Sequence, residues 1–253
     1  MNNSIRVKLM GKNLDDIRPK LVERGFVIVE EDFEMVIAHG GDGTLLWAER
    51  DYPGVPKLPL RDARTAPLCR EHDHAKQLDD FLAGKLRLRR LPKLEGGTAG
   101  GKLVALNDVF VHNRDRQSAL RYQVRIDGEL YATEIVGDSV GAATVHGSTA
   151  YYRSITHSIF RVGIGLAFSN STEEVNHLVL PDSAEIEIKI VRGPAILAAD
   201  NDTRLIEVPE GGEVVIRKNA GEALIYGLDN FMCAKCRMLR HPNKHPFQNF
   251  LPL

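Results

Sequence analysis

No apolar run in these 253 residues approaches the length of a membrane span. The opening Met1-Asn2-Asn3-Ser4 leads straight into an alternating strand pattern rather than the apolar core of a signal peptide. Neither sign of charge is in excess: Lys and Arg total 33 against 34 for Asp and Glu, so nothing argues for nucleic acid or an anionic membrane as partner. Cysteine is scarce as well. Three in a chain of this size cannot build a disulfide framework and suit a reducing compartment. These absences predict a cytoplasmic protein whose partners are small molecules or copies of itself. The length allows one large domain or two modest ones.

The first third reads as alternating strand and helix. Ile5, Val7 and Leu9 alternate with polar residues, Leu14, Ile17, Leu21 and Val22 fall at helical spacing, and Gly25 supplies a stop. Two short apolar runs follow, Phe26 to Val29 and Met35 to Ala38. The order favours an α/β layer with a largely parallel sheet, in which ligands bind beyond the carboxyl ends of strands. Four prolines punctuate residues 53–67, and a helix carrying Leu78, Phe81 and Leu82 ends near Gly84. After Pro92 the pattern shortens into strands, with Gly96 to Gly101 read as a flexible turn. Strands are expected over 103–112, 120–126, 130–136, 185–191 and 213–217, with Asp127-Gly128 as a hairpin signal. The expected organisation is an α/β domain over 1–93, a β-rich, sandwich-like domain over 94–227, and a C-terminal segment, 228–253, returning to the α/β domain.

Three short stretches carry candidate chemistry. Gly40-Gly41-Asp42-Gly43-Thr44 follows the apolar run from Met35 and precedes a helix-like stretch from Leu45, so phosphate could approach bare backbone amides at a helix start. The P-loop pattern is absent, because no Gly-Lys-Ser/Thr follows. An aspartate in such a loop repels phosphate unless it holds a cation or takes a proton from the attacking group; a plain glycine turn is the competing reading. Residues 137–151, Gly-Asp-Ser-Val-Gly-Ala-Ala-Thr-Val-His-Gly-Ser-Thr-Ala-Tyr, are dense in small and hydroxyl side chains and end in an aromatic ring, which suits a nucleoside or else a strand connection. Asn107-Asp108 interrupts an apolar run with groups that can grip a sugar diol, or marks an exposed strand edge.

Cys233-Ala234-Lys235-Cys236 invites a zinc reading with His241 and His245, but only four residues separate the second cysteine from the first histidine, far short of the finger spacing. Cys69, His72 and His74 form a looser group on a polar stretch. Both sets of cysteines are expected to be ordinary residues, and no metal is assigned to protein side chains.

In this order, Gly40 to Thr44, Asn107-Asp108, and Gly137-Asp138 leading without a gap to Thr144 through Tyr151 resemble the NAD kinase family, over roughly residues 35 to 230. Weaker echoes fall at Asn176 to Pro181 and at Asp200-Asn201-Asp202. The chain departs from the family pattern at Ser139, Val145-His146, Asp108 and Asn201, and most sharply at Leu58-Pro59-Leu60-Arg61-Asp62. The resemblance implies a two-domain fold with the nucleotide between an α/β and a β-sandwich-like domain. It further implies transfer of a phosphoryl group from ATP or polyphosphate, with Mg²⁺ or another divalent metal, to the 2′-hydroxyl of the adenosine ribose of NAD. By the same resemblance Asp42 is the general base, and Gly41, Gly43 and Thr44 hold phosphate. Asn107, Asp108 and Asp138 hold ribose or nicotinamide groups, Thr149, Ala150 and Tyr151 surround a base, and Ser154 joins them on the NAD side. A homodimer or homotetramer is implied, with no nucleic acid or membrane partner. The competing functions are a non-catalytic NAD or nucleotide sensor and a lipid kinase acting on diacylglycerol or sphingoid bases, which shares the glycine-aspartate-glycine loop.

Overall fold

The computed structural model describes residues 4–65, 68 and 72–240. They fall into two units, one comprising the residues up to Leu91 and from Glu222 onward, the other Pro92–Gly221. No helix among the described residues is long and apolar enough to cross a membrane.

The first unit opens with β1 (Arg6–Gly11), α1 (Arg18–Glu23), β2 (Val27–Ile28), β3 (Met35–Gly40), α2 (Asp42–Asp51), β4 (Lys57–Arg61) and α3 (His74–Leu82). The strands lie in the order β2-β1-β3-β4, all parallel. β3 is flanked on both sides and all six of its residues are buried, as the unbroken apolar run of a central parallel strand requires. Val7, Ile17, Leu21, Ile37, Leu58, Leu60 and Leu78 form the core beneath it. The expected single helix from Leu14 is a 3₁₀ turn, Leu14–Asp16, followed by α1, because Pro19 is tolerated only in a first helical turn. β4 hides among the prolines. Pro59 sits opposite Ala38, and on its other side β4 is paired only at Lys57, so the missing N–H disturbs little of the ladder.

Lys57 and Glu49 are an ion pair sealed inside this unit, the lysine fully buried and the glutamate 4 % exposed. The Lys57 ammonium also donates to the Tyr52 carbonyl at 2.5 Å. Removing one charge leaves the other desolvated without its partner. Lys57→Met is therefore expected to cost about 3–5 kcal/mol in urea denaturation, while Glu49→Gln added to it restores much of the loss. A single variant within 1 kcal/mol of the parent, on that ~3–5 kcal/mol scale, would show that the pair is not what stabilises this corner.

The second unit contains β6 (Gly101–Ala105), β7 (Asp108–Asn113), β8 (Leu120–Ile126), β9 (Glu129–Gly137), β10 (Ser139–Ala143), α4 (Tyr151–Thr156), β11 (Ile164–Ser169), β12 (His177–Leu180), β13 (Ile186–Arg192), β14 (Ala195–Ala199) and β15 (Ile206–Val208). The division between units falls inside the strand before β6, β5 (Leu88–Thr98), and inside β16 (Glu213–Tyr226), after which α5 (Leu228–Phe231) and α6 (Ala234–Arg240) belong to the first unit. β12-β11-β10-β7-β14-β15 make a six-stranded antiparallel sheet. β13 pairs antiparallel with β8 and β16, and β8 with β9. One core joins these two layers: Tyr122, Val124, Ile186, Ile188, Val214 and Ile216 meet Val109, Val111, Val140, Leu166, Phe168 and Leu197. This is the sandwich expected of the β-rich half.

Asp127-Gly128 is the β8–β9 turn, with φ of 52° and 80° as a tight hairpin demands. The glycine run is not a flexible turn throughout. Gly96 and Gly97 are paired in β5 against Leu103 and Lys102, and a side chain on Gly96 would collide with Val109. The strand expected over 103–112 breaks at Leu106-Asn107, and residues 139–143 within the small-residue block form a fully buried strand, β10.

Candidate functional site

Asp42 begins α2 immediately beyond the carboxyl end of β3, and its carboxylate is 60 % exposed. Arg61, at the end of the neighbouring strand in register with Gly40, reaches it as a fork: Nη2 to Oδ1 at 2.9 Å and Nη1 to Oδ2 at 3.3 Å. The guanidinium is itself held, 3.7 Å over the Phe231 ring, with Nε donating to the Phe231 carbonyl at 3.1 Å. A carboxylate offers about four lone-pair positions, and a fork occupies two. The fork thus fixes the orientation of the Asp42 carboxylate.

The glycines of the loop allow a close turn. A Cβ on Gly40 would collide with Thr44, which is buried beneath it, and the Thr44 amide closes the first helical turn on the Gly41 carbonyl at 3.0 Å. The Thr44 side chain therefore shapes the loop from inside. Asp62 follows Arg61 and is buried, accepting from Asn13 Nδ2 at 2.8 Å and from the Arg64 amide at 2.9 Å. His74 contacts the Arg61 carbonyl through Nε2 at 2.6 Å, and burial lowers its proton affinity.

In the second unit the structure brings Asn107 and Asp108 together with Asp200. The Asp200 carboxylate accepts the backbone amides of Leu106, Asn107 and Asp108 at 2.7, 2.8 and 3.1 Å. This is what stops β6 and turns the chain into β7. Asp200 adopts a left-handed conformation, φ 48°, to do so. Burial, and then the charge of Asp200, push the Asp108 carboxyl up to about 7. Burial also raises Asp200, against the opposing effect of its three amide donors. Asn107 carries a buried Oδ1 with no hydrogen-bond partner among the described residues. Such an atom is costly unless a ligand or water satisfies it. Thr144 ties the turn to the small-residue block: its hydroxyl donates to the Leu106 carbonyl at 2.7 Å and accepts from the Gly147 amide at 3.0 Å. Gly147 lies so close to Asn107 that a Cβ would strike its carbonyl.

Tyr151 opens α4 with its ring 38 % exposed, edge-on to Phe110 at 4.9 Å and tilted against His112 at 5.7 Å. Its hydroxyl is 3.4 Å from Ser139 Oγ. Thr149 and Ala150 occupy the turn just before it, half-buried, and the exposed Ser154 donates to the Tyr151 carbonyl at 2.7 Å. Asp138 is not with Asn107 and Asp108. β10 pairs with β7 from Ala143 opposite Asp108 to Ser139 opposite His112, so Asp138 lies at the far end of those strands, roughly 15 Å from Asp108. There it accepts from Asn170 Nδ2 at 2.9 Å.

Arg61 and Asp200 are the residues whose roles local sequence could not supply. Each acts on a partner distant in sequence, and only their departure from, or echo of, a family pattern marked them.

No family model matches the chain. Among curated proteins it is 32 % identical over 136 residues to an NAD kinase of Brucella suis, an alignment covering 52 % of each chain. It is 26 % identical over 260 residues to an NAD kinase of Aquifex aeolicus, covering 96 % of this chain and 89 % of that one. The match thus spans about half the length of some of the curated relatives and most of others. In fold it resembles the crystal structure of an NAD kinase from Archaeoglobus fulgidus in complex with ATP, with a TM-score of 0.73 at 19 % identity, covering 92 % of this chain and 99 % of that one.

Proposed function

We propose that this chain is a divergent member of the NAD kinase family and that it transfers a phosphoryl group from ATP to the 2′-hydroxyl of the adenosine ribose of NAD, giving NADP. The observation that carries the reading is Asp42, an exposed carboxylate held by the Arg61 fork at the start of a helix that follows a central parallel strand. A ribose hydroxyl is a weak nucleophile at neutral pH. A fixed carboxylate that accepts its proton as the new P–O bond forms lowers the barrier, commonly by a factor of roughly 10² to 10⁴. Gly41 and Gly43 admit phosphate oxygens to the helix start, where the backbone field favours anions. Thr44 contributes by packing under the loop rather than by a solvent-facing hydroxyl.

On the NAD side, the orphan Asn107 Oδ1 and the proton-holding Asp108 supply an acceptor and a donor for ribose or amide groups. Tyr151, with Thr149, Ala150 and Ser154, offers an open ring face beside polar atoms for a base. Asp138, at the other end of the strand pair, serves a different part of the dinucleotide or a second NAD group. The divalent metal of the reaction fits only as a partner of phosphate. Among the described residues the one grouping of three His, Cys, Asp or Glu ligands is not at this loop. Mg²⁺ is commonly held by a carboxylate or two together with substrate phosphates, whose charge it neutralises. The cytoplasmic location and the homodimer or homotetramer belong to the same proposal, which assigns no nucleic acid or membrane partner; sedimentation of the purified chain tests the assembly.

The test is NADP formation by purified protein with ATP, other nucleoside triphosphates and polyphosphate as donors, and NAD, NADH or diacylglycerol as acceptors. NADP from NAD and ATP is expected. A rise in melting temperature with NAD but no turnover with any donor would instead make the chain a sensor, and phosphorylation of the glycerolipid alone would make it a lipid kinase.

A further inference from the structure

We propose that His72, Cys233 and Cys236 form a zinc site in the first unit. The sequence reading sets these cysteines aside because the following histidines are too close, and both His241 and His245, like Cys69, lie outside the described residues. The structure supplies a histidine from elsewhere. His72, 164 residues before Cys236, places Nδ1 3.3 Å from Cys236 Sγ. The ligand atoms of all three residues lie within 4.8 Å of one another. Both cysteines are thiols rather than a disulfide.

The cluster is built. Cys233 precedes α6 and its carbonyl accepts the Arg237 amide at 3.0 Å, a helical turn that sets the two sulfur atoms three residues apart on one face. Cys236 is 1 % exposed and His72 9 % exposed. The His72 carbonyl is pinned by Gln77 Nε2 at 2.8 Å, just before Asp73 caps α3. A tetrahedral ion with Zn–S near 2.3 Å and Zn–N near 2.0–2.1 Å sets its ligand atoms about 3.3–3.8 Å apart. The present separations reach that geometry with a contraction of roughly an ångström or less. Two thiolates and an imidazole are soft to borderline ligands that select zinc over magnesium or calcium. Three protein ligands leave the fourth position to water or to an added ligand.

The location gives the site a task. Met232 joins α5 to Cys233, and Phe231 is the residue on which the Arg61 guanidinium rests. A metal clip between the residues before α3 and the start of α6 fixes the segment that seats Arg61, and through Arg61 the orientation of Asp42. The site stands whether or not Asp42 is catalytic, because it is argued from its own ligands.

Protein purified without chelator is expected to contain about one zinc per chain, released on acidification as the two thiolates and the imidazole take up protons. Cobalt added to the metal-free wild-type protein should give the intense near-ultraviolet thiolate-to-metal band and the visible absorption of a tetrahedral ion. This readout does not depend on any variant folding. Cys233→Ser, Cys236→Ser and His72→Ala should each lower bound zinc at least about tenfold at limiting metal. The proposal is overturned by reduced wild-type protein that takes up neither zinc nor cobalt, by a Cys233–Cys236 disulfide in freshly isolated protein with no metal, or by full zinc content in the Cys233→Ser/Cys236→Ser double variant.

Discussion

Asp42→Asn will lower NADP formation by roughly 10² to 10⁴-fold while leaving NAD affinity within a few-fold of the parent. The amide keeps the shape of the carboxylate and one acceptor oxygen for the Arg61 fork, but it cannot take a proton from the ribose hydroxyl. The amide also removes the counter-charge of the buried Arg61 guanidinium, so a urea-denaturation curve of the variant is measured beside its kinetics to separate lost stability from lost rate. Steady-state kinetics beside calorimetric NAD binding separate the roles. Near-normal turnover removes Asp42 from catalysis. A loss of binding equal to the loss of rate makes it a substrate ligand, and the base is then another group. Arg61 enters here as a positioning residue. Its buried guanidinium fixes the carboxylate from behind, and it stands where the chain departs most from the family pattern.

Much of this arrangement is legible in the sequence. An unbroken apolar run before a glycine-rich loop and an apolar-patterned helix announces β3 and α2, and Asp127-Gly128 between alternating runs announces a hairpin, because in both cases the deciding physics is local. Where the physics is not local, the reading fails. Pro59 conceals β4 because the cost of a proline in a strand depends on which neighbour its missing N–H would have met. Residues 139–143 look like a connection because their smallness answers to a packing partner, the Val109 carbonyl and Phe110 against Gly141, that no periodicity reveals. The same holds for the sites. Asp42 and Asn107-Asp108 stand out as polar groups in apolar surroundings. Asp200 does not, since its value lies in three amides more than ninety residues away, and His72 becomes a ligand only when the chain returns with Cys233 and Cys236.

Asp108→Asn is expected to change the pH dependence of stability more than stability itself. In the folded protein Asp108 holds its proton up to about pH 7, against an ordinary value of 3.8, because it is buried and faces the negative charge of Asp200. The folded state therefore binds a proton that the unfolded state has released, and between about pH 4 and 7 stability must fall as pH rises. Below pH 4 both states are protonated and the site costs nothing. Above pH 7 the full penalty is present, at most about 4 kcal/mol at 1.4 kcal/mol per pKa unit. The asparagine variant has nothing to ionise there. Its urea-denaturation stability relative to the parent should accordingly improve by about 2–3 kcal/mol between pH 5 and pH 8, the greater part of that integrated penalty. Asp200→Asn, which keeps an acceptor oxygen for the amides but removes the neighbouring charge, should flatten the parent's slope in the same interval. Parallel stability curves for parent and Asp108→Asn from pH 5 to 8 would mean that Asp108 ionises as an ordinary carboxylate. It would then meet NAD as a charged acceptor, and the proton it was to donate to the ligand would have to come from another group.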